Sequence, residues 1–404
     1  MENMDQTNPA AKITVYGATW CPDCKRAKQF LGEQRVHYNW VDIEEHPESQ
    51  AFVEKANNGK RIIPTIVFAD GSILVEPSNA DLAKKLGLQT TAHMSYYDLI
   101  IIGGGPTGLT TALYGAREGL SVLVIERSAL GGQAGITERL DNFPGFPDGI
   151  SGAEFADRLA RQAIRFGVEA LKAQSVVSLR AEGESRYVKT ADGNEYGARA
   201  VLIATGSKYR RLGVPGEDDF IGAGIHFCAT CDGPFYKGQH VAVIGGGNSA
   251  GEESIFLTRF VEKVTLIVRG SELTASKVVI DKLAETPNIE VRLNTDTVSF
   301  QGNAEQSGKL GSVTLRNRTT NVLEELRPKG VFVFIGLQPN SQWLPAEIAR
   351  DKTGFVMTNA MLETSMPGVF AAGDVRLGST KQAASAAGEG ATAALMIREY
   401  LRKM

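Results

Sequence analysis

Residues 97–108 read YDLIIIGGGPTG, an apolar run from Leu99 to Ile102 that stops at Gly103-x-Gly105-x-x-Gly108 and gives way to the helical pattern LTTALYGA. Strand, glycine turn and helix in that order form a dinucleotide-binding unit. Gly103 permits the tight turn, Gly105 lets the backbone approach a pyrophosphate, and Gly108 lets helix and strand pack closely, so the helix N-terminus, opened by Pro106 and Thr107, faces the negative charge. The next strand, SVLVIE, ends at Glu126, 18 residues after Gly108, with Arg127 behind it. A carboxylate there accepts hydrogen bonds from both ribose hydroxyls of an adenosine without a 2′-phosphate, so the expected ligand is FAD or NAD.

Further along, HVAVIGGGNSAGEESIFL repeats the device as Gly245-x-Gly247-x-x-Ala250, with Asn248 and Ser249 between. Its following strand, 264–268, ends at Arg269 instead of an acid. A guanidinium pairs with a 2′-phosphate that a carboxylate repels, so this second turn favours NADPH, with NADH as the alternative. Two nucleotide-binding folds follow. The apolar segments FVFIGLQPN from Phe332 and GVFAAGDV from Gly368 have no strand partner of their own and are expected to return to the first unit, with the second unit inserted in it.

Upstream, residues 12–16 (KITVY) read as a strand that leads to Cys21 and Cys24 and then a helix. Strands at 38–42 and 65–68 and a helix near 49–56 complete a compact α/β unit that ends near Leu86. Residues 87–95 (GLQTTAHMS) are polar and aperiodic and read as a linker. As a flexible coil, such a linker reaches at most ~30 Å and averages ~17 Å, which sets a millimolar-scale effective concentration between its ends.

The 404 residues give room for two or three domains, and 43% hydrophobic and 22% charged residues describe a globular chain. A net charge of −3 does not suggest a nucleic-acid partner. No apolar run approaches the ~18 residues of a membrane span, and MENMDQTNPA has no secretory pattern, so a cytoplasmic protein is expected.

All 4 cysteines fall into C-x-x-C pairs, Cys21/Cys24 and Cys228/Cys231, which in a reducing compartment points to redox or metal chemistry. Zinc ribbons separate their pairs by ~15–20 residues, and these two pairs lie far apart in the chain, so no metal is expected. Cys21, at a helix N-terminus, is the expected attacking thiol and Cys24 the resolving one. Ile63-Pro64-Thr65 would suit a cis-proline loop beside them. Asp232, next to Cys231, can hold or deliver a proton, although Asp232-Gly233-Pro234 is also a good turn. The 5 histidines form no ligand spacing, and His226 beside Cys228 reads as chance adjacency.

On these residues, 97–401 closely resembles the low-molecular-weight thioredoxin reductases, through GGGPTG, GGQ at 131–133, NFPGF at 142–146, ATG at 204–206, CATCDG at 228–233, GGGNSA at 245–250 and GVFAAGDV at 368–375. The resemblance implies FAD in the first fold, contacted by Glu126, Gly132, Gln133, Asn142, Ala204, Thr205, Gly206, Asp374, Lys381, Gln382 and Ala383, and NADPH in the second. It also implies a redox-active Cys228/Cys231 disulfide with Asp232 as its acid/base, a homodimer, and rotation of one nucleotide domain against the other about points near Leu212 and Gly336. Where the family carries His-Arg-Arg and a further Arg for the 2′-phosphate, this chain has Val268-Arg269-Gly270 and Thr274. Residues 12–86 resemble a mycoredoxin-like glutaredoxin through WCPDC at 20–24, VDIEEHP at 41–47, NNGKRIIPTIVFADGS at 57–72 and EPS at 76–78. The glycine pair by which many glutaredoxins hold glutathione is replaced by Ser72-Ile73-Leu74.

The expected fold is therefore α/β, with an N-terminal thioredoxin-fold (glutaredoxin-like) domain at 1–86 and the linker at 87–95. Two Rossmann-like domains follow, the FAD-binding one at 96–212 and 337–404 and the NAD(P)H-binding one at 213–336 inserted in it. The expected activity is a disulfide reductase passing electrons from NADPH through FAD and Cys228/Cys231 to Cys21/Cys24 and on to a protein or low-molecular-weight disulfide. The alternatives are a peroxiredoxin reductase of the alkyl hydroperoxide reductase type, a reductase fed by NADH or a protein donor, and a flavin-bearing thiol sensor without turnover.

Overall fold

The computed structural model describes residues 13–137, 139–303 and 308–404, except for the side chains of Thr230 and Cys231. The N-terminal unit runs β1 (Ile13–Gly17), α1 (Pro22–Glu33), β2 (Asn39–Asp42), α2 (Pro47–Ala56), β3 (Thr65–Phe68), β4 (Ile73–Val75) and α3 (Asn79–Lys85). Its sheet order is β2-β1-β3-β4, with β1 parallel to β2 and antiparallel to β3. Val15, Leu31, Ile66 and Leu82 close its core. The alternating burial of β1 is what a half-buried strand requires.

Residues 87–95 hold no helix or strand, yet they are not a free coil. The Gln89 carbonyl accepts from Lys172 N–H, Ala92 N–H donates to the Tyr196 hydroxyl, and His93 N–H donates to Glu169. The flexible-chain reach expected of this segment is thus replaced by a strap fixed to the next domain.

That domain is built on β5 (Tyr96–Ile102), α4 (Pro106–Arg117), β6 (Val122–Ile125), α5 (Gly152–Arg165), β7 (Glu169–Leu171), β8 (Val176–Glu182), β9 (Ser185–Thr190) and β10 (Glu195–Ile203). The strand order is β7-β6-β5-β10-β9-β8, with β5, β6, β7 and β10 parallel. All four residues of β6 are buried, the pattern of a parallel strand covered on both faces.

A short β11 (Ser207–Tyr209) leads out to the second nucleotide unit: β12 (Ile225–His226), α6 (Ala229–Asp232), β13 (His240–Ile244), α7 (Asn248–Leu257), β14 (Lys263–Ile267), α8 (Lys277–Ala284) and β15 (Ile289–Arg292). An antiparallel set of β16 (Thr295–Gly302), β17 (Leu310–Asn317) and β18 (Leu323–Leu326) follows, then β19 (Gly330–Val333). The chain returns through β20 (Leu337–Pro339), which pairs antiparallel with β11, and closes with β21 (Val369–Ala371) and α9 (Ala383–Leu401).

The return to the first unit is visible in β21, which lies parallel to β10. The segment from Phe332 behaves differently from the expectation. Phe332 and Val333 belong to β19 at the heart of the second sheet (β12-β19-β13-β14-β15), where Val243 faces Phe332 in register and Phe332 is fully buried. Burial on both faces explains its unbroken apolar run, and the crossing back begins only at Leu337. Among the described residues no helix is long and apolar enough to cross a membrane.

Candidate functional site

Cys21 is the N-cap of α1, and its Sγ accepts the Cys24 N–H at 3.1 Å. A backbone donor and the N-terminal end of α1 both face that atom. The Cys21 thiol also lies 3.8 Å from the Ile63 carbonyl, beside the cis Ile63-Pro64 bond. Cys24 is fully buried, and that burial, with its hydrogen bond to Cys21 second, pushes its thiol up to about 12. Both thiols are free. Gly17 lines the back of the pair: a Cβ there would lie 2.6 Å from the Trp40 ring and 2.8 Å from Cys24 Sγ. Asp23, between the thiols, pairs with Arg26 at 3.1 Å.

The first glycine turn has the predicted form. Gly103 adopts φ +107°, and a Cβ on Gly108 would stand 1.9 Å from the Gly103 carbonyl oxygen, so a side chain at 108 would push helix and strand apart. Glu126 is buried, accepting from Gly104 N–H at 2.7 Å and from Ser128 N–H and hydroxyl at 2.9 and 2.8 Å. Pro106 opens α4, while Thr107 turns its hydroxyl onto the Ala386 carbonyl and thereby ties α4 to α9. Gly132 and Gln133 lie in a 3-10 turn whose Gly132 abuts Gly105.

Asn142 donates to Gln382 at 3.0 Å across 240 positions of sequence, and Gln382 caps α9, which starts at Ala383. The segment Ala204, Thr205, Gly206 is clamped by Asn340, which donates to the Thr205 carbonyl and accepts from the Thr205 hydroxyl, each at 2.8 Å. Burial pushes the Asp374 carboxyl up, against the pull of the Ser379 hydroxyl at 3.0 Å and of Lys381. Lys381, lowered by burial, donates to the Asp374 carbonyl and lies over the Phe355 ring. Its side is open to a cleft of about 420 Å³ lined by Arg210, Gly336, Phe355 and Ser379. Two helix N-termini and a side-chain-free turn thus converge in a cradle suited to an extended dinucleotide.

In the second turn Gly245 adopts φ +150°, where a Cβ would meet the Phe334 carbonyl at 2.4 Å. Gly247 caps α7, Asn248 accepts the Ser276 N–H at 2.6 Å, and Ala250 is buried while Ser249 is exposed. Thr274 donates from N–H and hydroxyl to the Gly246 carbonyl. Arg269 is exposed, and its carbonyl accepts Arg318 Nη1 at 3.1 Å. A second guanidinium therefore stands beside Arg269, brought from 49 residues away by the end of β17, where no local pattern marks it.

Cys228 is disulfide-bonded and immediately precedes α6, whose last residue, Asp232, donates its N–H to the Cys228 carbonyl. The Cys231 side chain lies outside the described set. His226 is not there by chance: its Nδ1 lies 3.5 Å from Asp232 and its Nε2 2.6 Å from the Tyr236 hydroxyl, and the ring is largely buried. A period-based reading misses it because β12 is only two residues long. Tyr209, stacked on Phe227 at 5.0 Å, is pushed up to about 12 by burial and by the charges of Asp374, Asp232 and Glu253, so it faces the acids of both units.

Residues 97–390 match the pyridine nucleotide-disulphide oxidoreductase family and residues 13–73 the glutaredoxin family. Over 305 residues the chain is 40% identical to the thioredoxin reductase of Treponema pallidum, spanning 76% of this chain and 97% of that one. It is 42% identical over 312 residues to the bifunctional thioredoxin reductase/thioredoxin of Mycobacterium leprae, spanning 77% and 67%. The crystal structure of thioredoxin reductase from Streptococcus pyogenes superposes with a TM-score of 0.72 at 38% identity, covering 77% of this chain and 99% of that one.

Proposed function

This chain belongs to the pyridine nucleotide-disulphide oxidoreductases as a thioredoxin reductase joined to an N-terminal glutaredoxin-fold domain, and on that footing we propose that Cys228/Cys231 reduce Cys21/Cys24, which in turn reduce an external disulfide. The enzyme uses FAD and NADPH and hands electrons to its own redoxin. The observation that supports the assignment of roles is the contrast between the cysteines: a disulfide at Cys228 between two dinucleotide turns, and free thiols at Cys21 and Cys24 at a helix N-terminus.

When bound, FAD supplies a two-electron centre between the nicotinamide and the Cys228 disulfide. The turn at Gly103, Gly105, Pro106, Thr107 and Gly108 would hold its pyrophosphate and Glu126 its ribose. Arg127, Gly132, Gln133, Asn142, Ala204, Thr205, Gly206, Asp374, Lys381, Gln382 and Ala383 complete the cradle. Gly245, Gly247, Asn248, Ser249 and Ala250 would hold the pyrophosphate of NADPH. Arg269 and Arg318, the latter held by the Arg269 carbonyl at 3.1 Å and 3.7 Å from Asp296, would supply the positive charge for its 2′-phosphate in place of the family's contiguous basic cluster.

The residues then carry out two thiol–disulfide exchanges. Reduction of the Cys228/Cys231 disulfide breaks one S–S bond with two electrons and leaves two thiolates; Asp232, its carboxyl oriented by His226, passes a proton to one of them and takes it back when that sulfur closes the disulfide again. A thiolate of this pair attacks the oxidised redoxin, forms a mixed disulfide and expels the other redoxin thiolate. Its neighbour then displaces the redoxin and closes the Cys228/Cys231 disulfide. Cys21 attacks the substrate disulfide in the same way, and Cys24 resolves the adduct by giving up its proton only at that moment. On this reading the enzyme works as a cytoplasmic homodimer, and sedimentation of the purified full chain measures its state.

Cys21→Ser separates the steps. Anaerobic stopped-flow should show flavin bleaching by NADPH unchanged while steady reduction of a protein disulfide falls by at least about a hundredfold. Unchanged substrate turnover in that variant would mean that Cys228/Cys231 serve the substrate directly and that the redoxin is not on the path.

A further inference from the structure

The N-terminal domain is docked by the C-terminal end of α1, and it is docked on the dinucleotide cradle itself. The Glu33 carbonyl accepts Ala129 N–H at 2.9 Å, Gln34 Nε2 donates to the Arg127 carbonyl at 3.4 Å, and Arg35 Nη2 donates to the Gly132 carbonyl at 3.4 Å. Leu88 of the strap and Ala173, just after β7, extend the redoxin core onto the reductase domain. All three polar contacts fall on residues 127–132, which bridge Glu126 and Gln133 in the cradle.

Arg35 is the unusual member of this contact. It adopts φ +54°, the left-handed turn that ends α1, with its N–H on the Gly32 carbonyl and the Val36 N–H on the Leu31 carbonyl. Its guanidinium takes the space a side chain at 135 would use: a Cβ on Gly135 would lie 1.9 Å from Nη2 and 2.4 Å from Cζ. Glycine at 135 and arginine at 35 therefore form a fitted pair between two domains. Burial pulls the guanidinium down from its ordinary value and the nearby charge of Glu126 opposes that, while the partner Arg35 does find is the uncharged Gly132 carbonyl. Its Nε is buried with no acceptor at all. A buried, unpaired donor on a cation is costly, and an anionic oxygen is the partner that would satisfy it.

We propose that Arg35 is a cofactor-positioning residue supplied by the redoxin domain. It braces the turn at residues 131–135 against the pyrophosphate of FAD and places a positive charge where the dinucleotide is negative. This rests on the assignment of the first turn to FAD. Because the same arginine joins the domains, FAD binding and redoxin docking are linked: each strengthens the other by the same factor.

The test measures FAD affinity, not turnover. Full-length apo-protein is titrated with FAD by flavin fluorescence, in wild type, Arg35→Ala, Arg35→Lys and Gly135→Ala, with riboflavin, which lacks the pyrophosphate, as a second probe. Arg35→Ala should weaken FAD by roughly tenfold or more, the scale of a lost charge-assisted hydrogen bond, while riboflavin binding stays within twofold. Arg35→Lys should recover part of the loss. Gly135→Ala keeps the charge but displaces it, and should weaken FAD similarly even if Arg35→Ala fails to fold. In parallel, hydrogen exchange should show residues 33–36 protected on FAD addition in wild type and not in Arg35→Ala. FAD affinity within twofold of wild type in folded Arg35→Ala or Gly135→Ala, or equal losses for FAD and riboflavin, would overturn the proposal. Failure of even wild type to bind FAD would instead overturn the cofactor assignment.

Discussion

Reduced protein treated with iodoacetamide at pH 8 should alkylate Cys24 far more slowly than an ordinary thiol, by an amount that follows from its burial. Its thiol is raised from 9.0 to about 12, a shift of about three units, so the thiolate is about a thousandfold scarcer at any pH below 9. A more basic thiolate is a better nucleophile, and with a Brønsted slope of 0.4–0.5 three units recover about 1.2–1.5 decades. The net slowing is roughly 30- to 60-fold before any steric screening, and Cys24 is fully buried, so this is a lower bound. Peptide-resolved mass spectrometry across pH 7–10 reads it directly. The Cys24 rate should rise about tenfold per pH unit through the whole range with no plateau near 9. In Cys24→Ser, a substrate disulfide should accumulate as a stable adduct on Cys21. Alkylation of Cys24 at the rate of a free cysteine, or a plateau near pH 9, would refute the assignment of Cys24 as the protonated, resolving thiol.

Gly17→Ala should destabilise the redoxin domain by ~1–3 kcal/mol, the usual cost of overpacking, because the new methyl group collides with both Trp40 and Cys24 Sγ; denaturant unfolding followed by Trp fluorescence measures it, and an unchanged midpoint would contradict the packing. Arg318→Ala should raise KM for NADPH by roughly tenfold while leaving KM for NADH within twofold, since a 2′-phosphate is the only part of the coenzyme a guanidinium at that place distinguishes; equal effects on both coenzymes would remove Arg318 from the specificity site.

What the chain revealed unaided was whatever local chemistry dictates. Gly103 and Gly108 were legible because strand, turn and helix follow one another without a gap, and Cys21 because an N-cap is adjacent in sequence to the helix it caps. Residues that act across the fold were silent. Arg318 reaches Arg269 only because β17 ends beside β14's exit, His226 meets Asp232 only after α6 has turned back, and Arg35 meets Gly132 only once two domains dock. The run at Phe332 misled for a related reason: a strand buried on both faces carries no signature of which sheet buries it.

The docking mode also bears on how electrons leave the molecule. Cys21 caps one end of α1 and Glu33, at the other end, holds the reductase turn. Twelve residues at ~1.5 Å each separate them by ~18 Å. The thiols therefore stand at the far end of the helix from the contact, with Trp20 exposed beside them, and the docked face does not compete with a partner for Cys21. The strap at residues 89–94 is hydrogen-bonded to Glu169, Lys172 and Tyr196, so movement of the redoxin toward another disulfide has to break those bonds as well as the Arg35 contact. Redoxin position is then set by a competition between interfaces and not by the diffusion of a loose tether. If Arg35 responds to the dinucleotide as proposed, loss of FAD loosens the redoxin at the moment when the reductase can no longer feed it.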